Sequence, residues 1–199
     1  MGGSFNPAHR GHRHISLLAL RRLALDEVWW LVSPQNPLKP VQGMAPFAER
    51  VTAAAEIASH PRIRIADIEA RLGTRYTADT LAALRQRFPA TRFVWLMGAD
   101  NLRQIQRWER WTRIFELAPI AVFARPAYSL GALGGLAAHR FGRSRIDPHM
   151  ARRLAAMPPP AWVFFATRLD PLSATAIRSQ RRRSVFNRQA ALRRRAVAA

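Results

Sequence analysis

The stretch Gly2-Gly3-Ser4-Phe5-Asn6-Pro7-Ala8-His9-Arg10-Gly11-His12 decides how the rest of the chain is read. Two adjacent glycines let a backbone approach a ligand closely and take up dihedrals that other residues avoid. Ser4 and Asn6 favour turns through local hydrogen bonds, and Pro7 stiffens the loop while removing an N–H. From His12 onward Ile15, Leu18 and Leu23, with Leu17 and Leu20, present a broad apolar face at helical spacing. A glycine-rich loop therefore runs into a helix N-terminus, where unpaired N–H groups and the positive dipole end suit a phosphate. His9 and His12, three apart, stand at the mouth of that site. Two histidines so spaced read equally well as surface residues on a tight turn; the whole stretch favours the phosphate site.

Outward from this loop, strands and helices alternate. Residues 26–33, centred on Val28-Trp29-Trp30-Leu31-Val32, read as a buried strand. It leads into the turn-rich stretch Pro34-Gln35-Asn36-Pro37-Leu38-Lys39-Pro40. A loop of that length in a compact domain is commonly functional, and Lys39 reads equally as a phosphate ligand or a solvated loop lysine. The spacing predicts a helix over 47–59, a strand through Ile63, Ile65 and Ile68, and a helix over 78–88 with Thr77 as N-cap. Residues 92–97 form a second buried strand that ends at Gly98-Ala99-Asp100. There Asp100 is placed to accept ribose hydroxyls, to cap the next helix, or both. One helix is expected to run on through Trp108 and Trp111 to Phe115. Residues 119–124 and 161–166 read as further buried strands, with loops and short helices over 126–160. Ser173, Thr175 and Arg178 offer a second anion site at a helix start, or a simple capped helix. Alternating strands and helices imply an α/β parallel sheet in one domain.

Composition narrows the classes. At 199 residues the chain suffices for one sizeable core. Without cysteine it has no disulfide, no thiolate metal site and no cysteine nucleophile. No apolar run reaches transmembrane length and no secretory pattern opens the chain, so a cytoplasmic protein without membrane contact is expected. Net charge is +20, with 32 basic residues of which Lys39 is the only lysine. That charge attracts phosphorylated ligands and polyanions alike. The arginine-rich tail, residues 181–199, has few aromatics for base stacking, so it reads as a solvated segment rather than a nucleic-acid site.

Gly2 to Pro7 followed by His9-Arg10-Gly11-His12 resembles the opening of the HxGH nucleotidyltransferase superfamily. The resemblance implies that the loop and histidines hold ATP. Imidazole donors would stabilise the charge that develops on the α-phosphate oxygens. Further segments narrow it. Arg75 to Leu81, Trp95 to Leu102, Trp108 with Trp111, Leu172 to Arg178 and the loop Pro34 to Lys39 are similar to those of bacterial nicotinate-nucleotide adenylyltransferases. They follow in the same order over nearly the whole chain.

That resemblance implies a Rossmann-like open parallel sheet with helices on both faces, in a nucleotidyltransferase domain spanning residues 1–180. It implies transfer of AMP from ATP, accompanied by Mg²⁺, to nicotinate mononucleotide, with pyrophosphate released. His9 and His12 would be catalytic. Gly3, Ser4, Phe5, Lys39, Gly98, Asp100, Ser173, Thr175 and Arg178 would bind ATP. Thr77, Ala78, Trp108 and the backbone of Glu109 would form the nicotinate pocket, where an indole stacks on a flat pyridine. The oligomeric state stays open, and so does nicotinamide mononucleotide as acceptor. Two rivals stand beside this reading: a phosphopantetheine adenylyltransferase, disfavoured by His9, and a basic RNA-binding protein.

Three departures from the family pattern stand out. Ala174 occupies a position where serine is commoner, and Asn6 one where aspartate is. The third is the buried strand that should deliver the Gly-Gly loop to the sheet: only Met1 precedes Gly2. An open slot in the sheet centre is therefore expected, with the true start upstream.

Overall fold

The computed structural model describes residues 1–35, 42–125 and 128–166. The chain alternates as the sequence pattern requires. β1 (Gly2–Gly3) leads to α1 (Arg10–Arg22), β2 (Val28–Val32), α2 (Phe47–Ala58), β3 (Ile63–Ala66), α3 (Ile68–Leu72) and α4 (Thr77–Arg87). Then come β4 (Trp95–Gly98), α5 (Ala99–Gln104), α6 (Trp111–Leu117), β5 (Ile120–Phe123), α7 (Ser129–Leu133), α8 (Leu136–Arg140) and β6 (Trp162–Phe165). Short 3-10 turns occupy Ile105–Arg107, Gly142–Ser144 and Pro148–Ala156.

All strand pairs are parallel and form two ladders, β1-β2-β3 and β4-β5-β6. Alternate strand residues face opposite sides, as a period of two demands. Val28, Trp30, Val32, Leu96, Ala121, Phe123 and Val163 join one core with Ile15, Ala19 and Leu20 of α1 and Ala54 and Ala58 of α2. Leu31, Trp95, Met97, Ile120, Val122 and Trp162 join another with Leu81 of α4, Leu102 of α5 and Phe115 of α6. Each core draws on strands of both ladders. The six strands therefore form one layer covered by helices on both faces, a Rossmann-like α/β fold.

The sheet centre carries the feature the sequence singles out. β1 pairs with β2 over two residues, with Gly2 opposite Leu31 and Gly3 opposite Val32. The Met1 amine donates to the Trp29 carbonyl at 2.9 Å, and the Leu31 and Ser33 N–H groups donate to the carbonyls of Met1 and Gly3. Among the described residues no ladder joins β1 to β4. Beyond Met1 lies a cavity of about 690 Å³, lined by Val28, Trp29 and Leu31 on one side and Phe93, Val94 and Leu96 on the other.

Four local expectations are corrected. Ile68 starts the helix α3 instead of extending the strand, because β3 ends at Ala66 and Asp67 turns the chain. Tyr76, not Thr77, is the N-cap of α4; Thr77 is already helical. Gly98 caps α5, so Asp100 lies inside the first helical turn rather than at the cap. The single helix expected through Trp108 is interrupted. Trp108 is extended (ψ 142°) and Arg110 is left-handed (φ 50°) before α6 resumes.

Candidate active site

The histidine loop is held by its own side chains. His9 is the N-cap of α1: its Nδ1 accepts the Gly11 N–H at 3.1 Å, while His12 Nδ1 accepts the His9 N–H at 3.2 Å. This is a capping box built from two imidazoles, which satisfies two of the N–H groups that a helix start leaves over. A neutral ring that accepts at Nδ1 carries its proton on Nε2, so each histidine is set as an Nε2 donor. The rings lie 3.9 Å apart, with His9 buried and His12 half-buried.

An aromatic column fixes the pair to the core. Phe5 takes a left-handed backbone (φ 44°) and stacks on Trp30 at 5.0 Å. Its ring lies 4.9 Å from that of His12. The Trp30 indole donates to Ser16 Oγ, which donates to the His12 carbonyl. Ser4 and Gly3 contribute backbone: their carbonyls accept from Arg50 and Ser33 respectively.

Arg50 is a functional neighbour that the sequence reading does not single out. Its guanidinium, 3% exposed, donates to the carbonyls of Ser4 and Ser33 at 2.7 Å, Pro34 at 2.8 Å and Ala45 at 3.0 Å. Burial lowers its affinity for the proton from the ordinary arginine value. Carbonyl dipoles, not a carboxylate, meet the charge. Asn6 completes the tie, donating to the Gly43 carbonyl and accepting from the Ala45 N–H.

A cavity of about 300 Å³ opens beside the loop. It unites Gly2, Gly3 and Ser33 with Thr77 and with Trp108 and Glu109. The broken helix explains the last two: the turn at Trp108–Arg110 brings them to the cavity. Arg110 pins that turn to α4 through Asp79 at 2.6 Å. Arg75 and Arg107 also line the cavity and make it attractive to anions. Two further lining residues, Glu69 and Trp95, are not assigned to the site by the sequence. Burial pushes the Glu69 carboxyl up to about 7, against the Ser33 hydroxyl and the amino terminus, which favour its ionised form.

On the β4 side, a Cβ at Gly98 would run into the Asp100 carboxylate and fall 2.8 Å from Arg125 Nε, so a larger residue there would have to displace both side chains. Asp100 faces Arg125 at 3.3 Å. Ala78 is buried in the core beneath the cavity rim rather than lining it. The structure thus gathers Gly3, Thr77, Trp108 and Glu109 at one cavity and places His9, His12, Ser4 and Phe5 in the adjoining loop. Gly98 and Asp100 stand at the end of β4. Lys39, Ser173, Thr175 and Arg178, with the tail 181–199, lie outside the described residues. Among the described residues no cluster of three or more His, Asp or Glu side chains is placed to hold a metal. None of their helices is long and apolar enough to cross a membrane.

Known proteins share this chain's sequence and fold. The cytidylyltransferase-like family model matches residues 1–180. A probable nicotinate-nucleotide adenylyltransferase of Cereibacter sphaeroides is 54% identical over 179 residues, covering 90% of this chain and 95% of that one. Its counterpart in Parvibaculum lavamentivorans is 53% identical over 180 residues, 90% of each chain. The chain belongs to the nicotinate-nucleotide adenylyltransferase family. The fold is shared more widely. Plasmodium falciparum nicotinic acid mononucleotide adenylyltransferase complexed with NaAD superposes with a TM-score of 0.65 at 16% identity, covering 89% of this chain and 80% of that chain. The same enzyme complexed with APC gives 0.63 with the same coverage.

Proposed function

We propose that this protein transfers AMP from ATP to nicotinate mononucleotide, forming nicotinate adenine dinucleotide and pyrophosphate in NAD biosynthesis in the cytoplasm. The observation that carries the reading is the paired-imidazole capping box: two Nε2 donors at a helix N-terminus, beside a cavity edged by an indole and two arginines. The acceptor's 5′-phosphate attacks the α-phosphorus in line, and pyrophosphate leaves. No protein nucleophile is required; positioning and charge stabilisation do the chemistry.

In this reading His9 and His12 donate to the α-phosphate oxygens as charge builds there. Gly3, Ser4, Phe5, Lys39, Gly98, Asp100, Ser173, Thr175 and Arg178 bind ATP. Trp108 stacks on the pyridine, and Thr77 and the Glu109 backbone frame its carboxylate, with Ala78 packed behind Thr77. Mg²⁺ bound to the triphosphate would supply neutralisation of its phosphate charge. Residues 1–180 constitute the nucleotidyltransferase domain and 181–199 a basic tail.

Incubation with ATP, Mg²⁺ and nicotinate mononucleotide, assayed for pyrophosphate, tests the reading; no product from the native protein sinks it. His12→Ala should lose about a hundredfold or more in turnover while its circular dichroism stays native. Near-normal turnover would remove His12 from the mechanism.

A further inference from the structure

Glu69 and Trp95 are buried polar groups that adenylyl transfer as described leaves without a task. Both line the cavity between the loop and Trp108. Glu69 is 6% exposed and Trp95 3%. A Cβ on Gly2 would stand 2.7 Å from Trp95 Cη2 and 3.9 Å from Glu69 Oε1, so ring and carboxyl converge on one point of the loop. The Trp95 indole N–H is buried without a hydrogen-bond partner among the described residues. Arg75 and Arg107 share the cavity, yet no salt bridge among the described residues reaches Glu69.

The Ser33 hydroxyl bonds the Glu69 carboxyl, which as a carboxylate keeps further acceptor capacity, whereas the buried Trp95 N–H costs free energy until a partner meets it. A hydroxyl answers both, donating to the carboxylate and accepting from the indole. We propose that Glu69, together with the Trp95 N–H, reads the ribose hydroxyls of the acceptor mononucleotide and determines specificity for a ribosylated acceptor. The inference rests on the adenylyl-transfer reading above. Among the acceptor's polar groups, the phosphate and the pyridine carboxylate are anions without donors, suited to the arginines. The ribose diol alone brings hydrogens to a carboxylate. Glu69 also stands just past the carboxyl end of β3, the edge of an open sheet where an acidic side chain can meet a ribose.

The test pairs variants with altered substrates. Binding of nicotinate mononucleotide and of its 2′-deoxy and 3′-deoxy forms is titrated against the native protein, Glu69→Gln and Trp95→Phe, with KM measured alongside. Glu69→Gln should weaken the ribose form about tenfold or more and leave KM for ATP unchanged. Loss of the critical hydroxyl should cost the native protein the same factor and cost Glu69→Gln nothing further. Trp95→Phe should show the same pattern at smaller size. Independent full losses from variant and deoxy substrate would overturn the proposal. So would a native protein that binds deoxy forms as tightly as the ribose form, a result that needs no folded variant. Binding without turnover would defeat the adenylyl-transfer reading, while the same cycle still judges Glu69. A native protein that binds none of the three overturns both.

Discussion

In β4, β5 and β6 every residue is buried and each pair of strands is in register over four residues. β1, by contrast, pairs over two residues, and the loop that follows it is tied down by side chains reaching backbone carbonyls. The half of the sheet that carries no histidine is held by area removed from water, a force without direction. The half that carries the histidines has its own buried core, but its loop is positioned by hydrogen bonds, which weaken steeply when misaligned. A platform tolerates small shifts. A pair of imidazoles that must face one phosphorus does not, so the directional interactions collect around it.

The largest blow to this contrast is a cavity in the apolar half. Phe123, stacked on Phe165 at 5.2 Å, is fully buried. Phe123→Ala should cost about 3–5 kcal/mol of stability, read by urea unfolding, with KM values of the folded protein unaltered. A cost below about 1 kcal/mol would show that burial is not what holds that half.

Arg50 probes the other half. Lysine keeps the charge but not the planar fork, so Arg50→Lys should leave at least one carbonyl unmet and cost about 1–3 kcal/mol. Its kcat should fall further than that of an equally destabilised variant in β5. Equal losses in the two would reduce Arg50 to ordinary packing. Asn6→Ala is the mildest probe. Loss of its bonds to Gly43 and Ala45 should cost about 0.5–1.5 kcal/mol, seen as a small drop in Tm with a measurable drop in kcat. An unchanged kcat would mean that the Gly43–Ala45 rim does not position the loop.

The glycine-histidine stretch and the apolar strands are legible in the sequence because their signals are local: glycine pairs, spacing of three, runs of Val, Ile and Phe. Arg50 is not. It sits in a helix whose alternating pattern makes any arginine read as solvated, and its partners are main-chain carbonyls, which every sequence has. The break at Trp108–Arg110 is hidden for a related reason. No glycine or proline marks it, and Arg110 takes the left-handed turn at its own cost, with Asp79 to hold it. Tyr76 displaces Thr77 as the cap because the Thr80 hydroxyl, paired with Thr74 and the Tyr76 carbonyl, fixes the chain one residue earlier. Glu69 is not singled out, because the strand read through Ile68 hides the short helix α3 that carries it. Only the approach of α3 to the glycine loop turns it inward.

The cavity between the half-sheets gives the central strands two clocks. In β4 the Trp95 amide donates to Pro119 across the ladder with β5. By the alternation of a parallel strand, Met97 points the same way and Leu96 points toward the cavity. Amides locked between β4 and β5 open only with the global transition, whereas one facing the cavity exchanges through local fluctuation. Deuterium should therefore enter β4 at every second residue, and a ligand that bridges the histidine loop and Gly98 should slow the fast set toward the slow one.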